Sequence, residues 1–337
     1  MQRRARADLS DVARAAGVSR STASRALRGE GRVSAETVAR VARVAADLGY
    51  VRDLRAAELR ETAATTLGLL VRGAERSFYG EVAAQVQAAA DARDIDLLIV
   101  NGGDDHDGQF RAVQALLGHR VAGMMIASGR MSLAAAEHAA TFVPTVLIGM
   151  PSSHPEIDSV AIDPMLETQL AASVARAGHR RVAVTTSDRP ESTTLHLRTA
   201  RFRDELIARG ADPVLVPGVG EDGQEFVTAL RRAVDGGATA VMAGDDPTAV
   251  QVLELLDAWG MNCPGQISVT GFDGVGVYAS PLFGLTTVRQ PVEQLAAAAM
   301  RVMVARLGGR VSAVSHDVLP GELLIGRTLG KPAGHGD

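Results

Sequence analysis

Residues 11–27 read DVARAAGVSRSTASRAL and residues 32–50 read RVSAETVARVARVAADLGY. Leu9, Val12, Ala13 and Ala16 recur at helical spacing behind Asp8, a good N-cap, and Gly17 supplies a residue that turns with positive φ. Ser19 caps a second helix whose apolar stripe is Ala23, Ala26 and Leu27, with Arg20, Ser21, Ser24 and Arg25 on the opposite face. Ser34 starts a third helix after Gly29 and Gly31. Val38, Val41, Val44, Ala45 and Leu48 are its expected buried side and Gly49 its end. A tight turn followed by a helix rich in Arg and Ser is what reading a DNA major groove requires. Arg donates two hydrogen bonds to guanine, and hydroxyls and helix N-termini hold phosphates. Periodicity alone fits any three-helix bundle equally well.

The charge around these stretches favours a polyanion. The 337 residues carry a formal charge of -4, yet residues 1–60 hold 13 Arg against 7 Asp and Glu, a net +6 that leaves -10 on the remainder. A basic unit on an acidic body suggests that only the first unit meets nucleic acid.

Both stretches closely resemble the DNA-binding head of the LacI/GalR repressor family. Carried over position by position, the resemblance implies that Arg20, Ser21 and Arg25 read bases, while Ser19, Thr22, Ser24, Ser34 and Thr37 hold phosphates. Arg28 departs from the family's usual Asn and is a candidate for an added phosphate contact. Next, the family usually has a Pro-Asn pair and a short hinge helix that forms on operator DNA. This chain reads VRDLRAAELRE at 51–61, with Arg52 and Asp53 replacing that pair, yet Leu54, Ala56, Ala57 and Leu59 still allow a short helix. Leu59 falls where the family wedges a leucine into the minor groove; the competing reading packs it on its own dimer partner. A wedge repays the cost of unstacking only if a second hinge inserts beside it, so the resemblance implies a dimer. The chain stops at GKPAGHGD with no apolar heptad after the last strand, and the expectation is therefore a homodimer rather than a tetramer.

From residue 66 the chain alternates apolar runs with helical stretches: TLGLLV, a helix through 79–93, IDLLIV, a helix from 108, GMMIAS and PTVLIG. A second series begins near SVAID at 159–163, with helices at 164–177 and 193–209 and the runs RVAVTTS, TAVMAG and ISVTGFD. Each is a βαβ series, which implies a parallel sheet covered on both faces. ARAGHRRVAV at 175–184, ISVTGFD at 267–273 and LTTVRQP at 285–291 extend the family resemblance over nearly the whole chain. The expected fold is a small all-α helix-turn-helix head joined to a two-lobed α/β domain like the periplasmic binding proteins, with parallel sheets. Its expected divisions are the head at 1–50, a hinge at 51–65, an N-terminal lobe at 66–163 plus 290–322, and a C-terminal lobe at 164–289 plus 323–337.

Ligands in open α/β sheets bind beyond the carboxyl ends of the strands, so two facing lobes make one cleft. The family's effector positions fall on Phe78, Tyr79, Asn101, Ser128, Asp163, Arg198, Asp245 and Asp273. Carboxylates, Asn and Arg bind sugar hydroxyls, and aromatic rings stack on a sugar's apolar face. The bland reading of Asp163 and Asp273 is a carboxylate bonded to a turn or helix N-terminus, and of Phe78 ordinary core. Asp245 stands where the family usually has Asn, and Gly149 where an Asp often follows the fourth strand. The implied effector is a small molecule, a carbohydrate or related metabolite, and its identity stays open.

Other classes fit less well. Every apolar run is shorter than a membrane helix, and MQRRARADLS lacks the apolar region of an export signal, so the expected location is the cytoplasm. The single Cys263, before Pro264, excludes an intramolecular disulfide framework and reads as a small buried hydrophobe. No cofactor or metal is called for, and the first strand ends in VRGAERSFYG rather than a dinucleotide-binding turn. The expected function is a sequence-specific transcriptional regulator on a palindromic operator, a repressor by resemblance with an activator left open, and not an enzyme.

Overall fold

Asp8 opens the first helix, α1 (Leu9–Ala16), by accepting the N–H groups of Ser10 and Asp11, while the Asp11 carboxylate accepts the Asp8 N–H. Gly17, at φ 67°, ends it. Ser19 accepts the Thr22 N–H at 3.1 Å ahead of α2 (Arg20–Arg28), and Ser34 accepts the Thr37 N–H at 3.3 Å ahead of α3 (Ala35–Asp47). Val12, Ala13, Ala16, Ala23, Ala26, Val41 and Ala45 make the core. Arg40 of α3 donates Nε–H to the Ala16 carbonyl at 3.2 Å, satisfying an otherwise orphaned acceptor at the C-terminus of α1. Leu48 is not part of the buried stripe: it is 42% exposed, because α3 ends at Asp47 and Tyr50 packs on the core instead, its N–H on the Ala45 carbonyl.

The computed structural model describes residues 7–28, 33–48, 50, 66–187, 189, 191–219, 223–310 and 313–332. The hinge expected at 51–65, with Leu59, and the side chain of Arg28 lie outside the described residues. The chain divides into two compact units, Met1–Ala64 and Thr65–Asp337.

The second unit opens with β1 (Thr66–Val71), α4 (Ser77–Asp91), β2 (Asp96–Asn101), α5 (His106–Gly118), β3 (Gly123–Ala127), α6 (Leu133–Phe142), β4 (Thr145–Ile148) and β5 (Asp158–Ile162). It continues with α7 (Met165–Arg176), β6 (Arg181–Thr185), α8 (Thr193–Ala208), β7 (Asp212–Val216), α9 (Gln224–Asp235), β8 (Ala240–Met242), α10 (Asp246–Ala258) and β9 (Ser268–Thr270). Then follow β10 (Thr287–Arg289), α11 (Val292–Leu307), β11 (His316–Leu319) and β12 (Glu322–Leu324). The first sheet has the order β11-β5-β4-β3-β1-β2 and the second β7-β6-β8-β9, both wholly parallel.

Helices cover both faces of the first sheet, which is why its inner strands read as continuous apolar runs. Leu69, Val71 and Met125 pack toward α4 and α11 with Val82, Val86 and Met300; Leu70, Met124 and Ile126 pack toward α5 and α6 with Val113, Leu116 and Ala136. The second sheet is built alike, with Val241 and Val269 in one cluster and Val182, Val184, Met242 and Phe202 in the other. Strand β7 has no counterpart among the expected runs. It is an edge strand carrying Pro213 and the half-exposed Leu215, so its hydrophobic signal is weak.

The chain passes between the two sheets three times. It leaves the first after β5, returns with α11 against α4 and β11 beside β5, and leaves again into β12, which pairs antiparallel with β10. Three strands at one junction favour hinge closure over free tumbling. Among the described residues, no helix is long and apolar enough to cross a membrane.

Candidate functional site

On the first unit, Arg20, Ser21 and Arg25 are exposed along α2, and Arg25 donates Nε–H to the Ser21 carbonyl at 3.3 Å. Thr22, Ser24 and Thr37 are half-buried. Ser19 and Ser34 are exposed, and their hydroxyls already serve as helix caps, bonded also to the hydroxyls of Thr22 and Thr37 at 2.8 and 2.9 Å. Hydroxyls at two helix N-termini favour a phosphate, because backbone N–H groups and the helix dipole point outward there. Arginines along α2 between these ends give a basic, hydrogen-bonding face.

On the second unit, a cavity opens at the carboxyl ends of both sheets, the place where open α/β sheets bind ligands. The second sheet contributes Arg198 from α8, Asp245 and Asp246 after β8, and Asp273 after β9. Arg198 is nearly buried. It donates to the Gly244 carbonyl, lies 3.5 Å from Glu167 Oε1 of α7, and stacks its guanidinium on Phe272. Glu167 is also held by Arg201 at 2.6 Å. Asp245 caps α10 by accepting the Thr248 N–H at 2.8 Å.

Asp246 is one of the lining residues that the sequence reading missed. Fully buried, it accepts the Thr287 hydroxyl at 2.6 Å and the Gly274 N–H at 2.7 Å. Asp273 sits at φ 116° and accepts the Gln290 amide at 2.7 Å. Burial pushes Asp246 up to about 7 and Asp273 up to about 8, and the nearby Arg198 charge opposes both shifts. An uncommon backbone conformation and raised carboxyls in one cavity mark a place shaped for something other than stability.

The first sheet contributes Phe78 and Tyr79 from the first turn of α4, packed edge to face with centroids 5.2 Å apart. Tyr79 accepts the Gly129 N–H at 3.0 Å. Arg72 and Arg76, after β1, and Arg130, after β3, also line the cavity, and the sequence reading missed all three. The signal for Arg72 and Arg76 was VRGAER at 71–76, where two arginines follow an apolar strand, and Arg130 likewise follows the apolar run GMMIAS at 123–128.

The structure therefore brings Phe78, Tyr79, Arg198, Asp245 and Asp273 together, and leaves three expected residues outside the lining. Asn101 ends the edge strand β2 and is exposed. Ser128 is fully buried, its hydroxyl without a hydrogen-bond partner among the described residues. Asp163 accepts the Met165 N–H at 2.8 Å at the start of α7, a turn-capping role. Cys263 donates to the Thr328 carbonyl at 3.5 Å, and burial pushes its thiol up to about 11, which suits an unreactive filler.

Comparison with known proteins places one family match in each unit. Residues 8–53 match the family described as bacterial regulatory proteins, lacI family, and residues 171–329 match the periplasmic binding protein-like domain. The chain is 28% identical over 326 residues to the HTH-type transcriptional regulator DegA of Bacillus subtilis, covering 94% of this chain and 96% of that one. It is 27% identical to catabolite control protein A of Priestia megaterium, covering 87% and 90%, and 27% to the ribose operon repressor of Escherichia coli, covering 89% and 93%. Among solved structures, a lac repressor dimer bound to operator and an anti-inducer superposes with a TM-score of 0.80 at 23% identity, covering 97% of this chain and all of that one. The cellobiose complex of the regulator CelR superposes at 0.66 with 26% identity, covering 96% and 100%.

Proposed function

We propose that the chain is a lacI-family bacterial regulatory protein, a DNA-binding transcriptional regulator, and that it represses transcription from a palindromic operator in the cytoplasm. It acts as a homodimer whose grip is controlled by a small polar effector, sugar-like in its hydroxyls. The carrying observation is the convergence of Arg198, Asp245 and Asp273 with Phe78 and Tyr79 on one cavity at the carboxyl ends of two hinged sheets.

Arg20, Ser21 and Arg25 read bases, and Ser19, Thr22, Ser24, Ser34 and Thr37, with Arg28, hold phosphates. Leu59 enters the minor groove. A single small head makes few contacts, so two heads on half-sites about one helical turn apart supply the affinity. The named likeness to a ribose operon repressor and to a cellobiose complex supports a carbohydrate effector. Effector binding changes operator affinity only as far as the two lobe arrangements differ in affinity for it.

The test is binding-site selection with the full chain, followed by light scattering and release of the selected DNA by a sugar panel. A palindromic consensus, a dimer at micromolar concentration and release by a ligand that needs Arg198 are the expected results. A non-palindromic consensus, or a monomer that binds as tightly, overturns the reading.

A further inference from the structure

The charge on the two sides of the cavity is unequal. Arg72, Arg76 and Arg130 come from the ends of β1 and β3, neighbouring strands, and all three lean on one acid, Asp104, which follows β2. Asp104 lies 2.5 Å from Arg72 Nε, 3.1 Å from Arg76 Nη2 and 3.7 Å from Arg130 Nη1. Arg76 also lies 3.9 Å from the largely exposed Glu75, so among the described residues three guanidiniums face two carboxylates and one positive charge is left over. The side chains of Arg72 and Arg130 are only 10% and 15% exposed, so water screens that excess poorly. Burial, and next the charge on Arg72, lower the proton affinity of Arg130 against the pull of Asp104, as expected for a cluster with too few anions.

A second feature points to the same place. The cavity wall includes Arg76, Ser77, Phe78 and Tyr79, the beginning of the 15-residue helix α4. This helix starts without a side-chain cap, as α7, α8, α9 and α11 also do, and it is the three arginines beside it that single this start out. An uncapped helix start next to excess guanidinium charge is suited to a multi-oxygen anion.

We propose that the effector carries a phosphate monoester, held by Arg72, Arg76 and Arg130 at the start of α4, with its hydroxylated body reaching Arg198, Asp245 and Asp273 across the cleft. The inference rests on the effector-site reading above and narrows it. A phosphate monoester carries roughly -1.5 to -2 at neutral pH and presents three acceptor oxygens to the three guanidiniums, where a carboxylate supplies one charge and two oxygens. Guanidinium forks bind its oxygens in pairs. Because the arginines follow the first sheet and the carboxylates follow the second, such a ligand touches both lobes and favours their closed arrangement.

The experiment measures binding to the full-length protein by calorimetry and thermal shift. The probes are inorganic phosphate, ribose and ribose 5-phosphate, glucose and glucose 6-phosphate, and glucuronate. Inorganic phosphate is expected to raise the melting temperature, and at least one sugar phosphate to bind about tenfold or more tighter than its parent sugar. Arg130→Gln and, on the more exposed side, Arg76→Gln should each remove that advantage while leaving the melting temperature without ligand close to wild type. Asp273→Asn should weaken the sugar phosphate and spare inorganic phosphate. Equal affinity for sugar and sugar phosphate, glucuronate binding as tightly as the sugar phosphates, or phosphate affinity unchanged in both Arg variants overturns the proposal. A neutral sugar that binds, and is lost in Asp273→Asn, would leave the effector-site reading standing while the phosphate falls. Phosphate binding that depends on Arg130 but never alters operator affinity would have the opposite meaning.

Discussion

The guanidinium of Arg198 lies over the ring of Phe272, its Cζ 3.5 Å from the ring centroid. Together with Glu167 and the Gly244 carbonyl, that stacking fixes a charged group at the cavity wall, so it can meet a ligand without losing rotamer freedom.

The first prediction follows from that support. Arg198→Met keeps an apolar stem on Phe272 and removes the charge, while Glu167 retains Arg201. Ligand response of operator binding should disappear, ligand-free operator affinity should stay within about twofold, and stability should fall by about 1 to 3 kcal/mol. Titration of ligand binding and operator release on the same sample checks it. Retention of both contradicts the assignment of Arg198 to the effector.

A second prediction separates base reading from backbone anchoring. Arg25 is exposed and takes no part in the head's core, so Arg25→Ala should leave folding unchanged, cost about 1 to 3 kcal/mol on the best operator and relax preference at one base position. Thr37→Ala should weaken all sequences alike. Ser34→Ala should additionally lower head stability by about 1 kcal/mol, since Ser34 also caps α3. An unchanged selected consensus for Arg25→Ala would count against base reading.

The third concerns pH. Asp246 and Asp273 hold their protons up to about 7 and 8, well above the unfolded value of about 3.9. Between those limits the native chain binds more protons than the unfolded one, so these carboxyls make stability fall as pH rises from about 4 to 8, by at most about 1.4 kcal/mol per pH unit each. Urea midpoints at pH 5 and pH 8 measure it. In Asp273→Asn, whose amide oxygen still accepts from Gln290, the dependence should be shallower, and an identical slope would refute the shift.

Backbone crowding beside the site gives the fourth. At Gly274, φ is +57° and an added Cβ would lie 2.5 Å from Arg289 Cα, main-chain atoms that cannot swing aside. Gly274→Ala should destabilise by about 1 to 3 kcal/mol and disturb the N–H that Asp246 accepts. Gly276→Asn, at a similar φ with open space around it, should cost less than half as much. Equal melting temperatures for the two variants would contradict this.

Much of this was legible in the residue order because local chemistry decides it. Asp8, Gly17, Ser19 and Ser34 punctuate three helices through caps within a few residues, and the apolar stripes between them name the head's core. The doubly built parallel fold followed from alternating apolar runs and helical stretches, and its weakest strand, β7, escaped because an edge strand with a proline carries little hydrophobic signal.

Resemblance by position found Phe78, Tyr79, Arg198, Asp245 and Asp273. It also named Asn101, Ser128 and Asp163, which the fold places at the exposed end of an edge strand, in the core and at a helix start. Such placement depends on strand order. Only the pairing of β3 with β1, and of β1 with β2, sets Arg72, Arg76 and Arg130 around a single Asp104. Only the approach of β10 to the loop after β9 closes Asp246 away from water. Charge excess and desolvation are sums over neighbours distant in sequence, so tertiary structure decided them, while caps and periodicity, being local, were determined by the sequence itself.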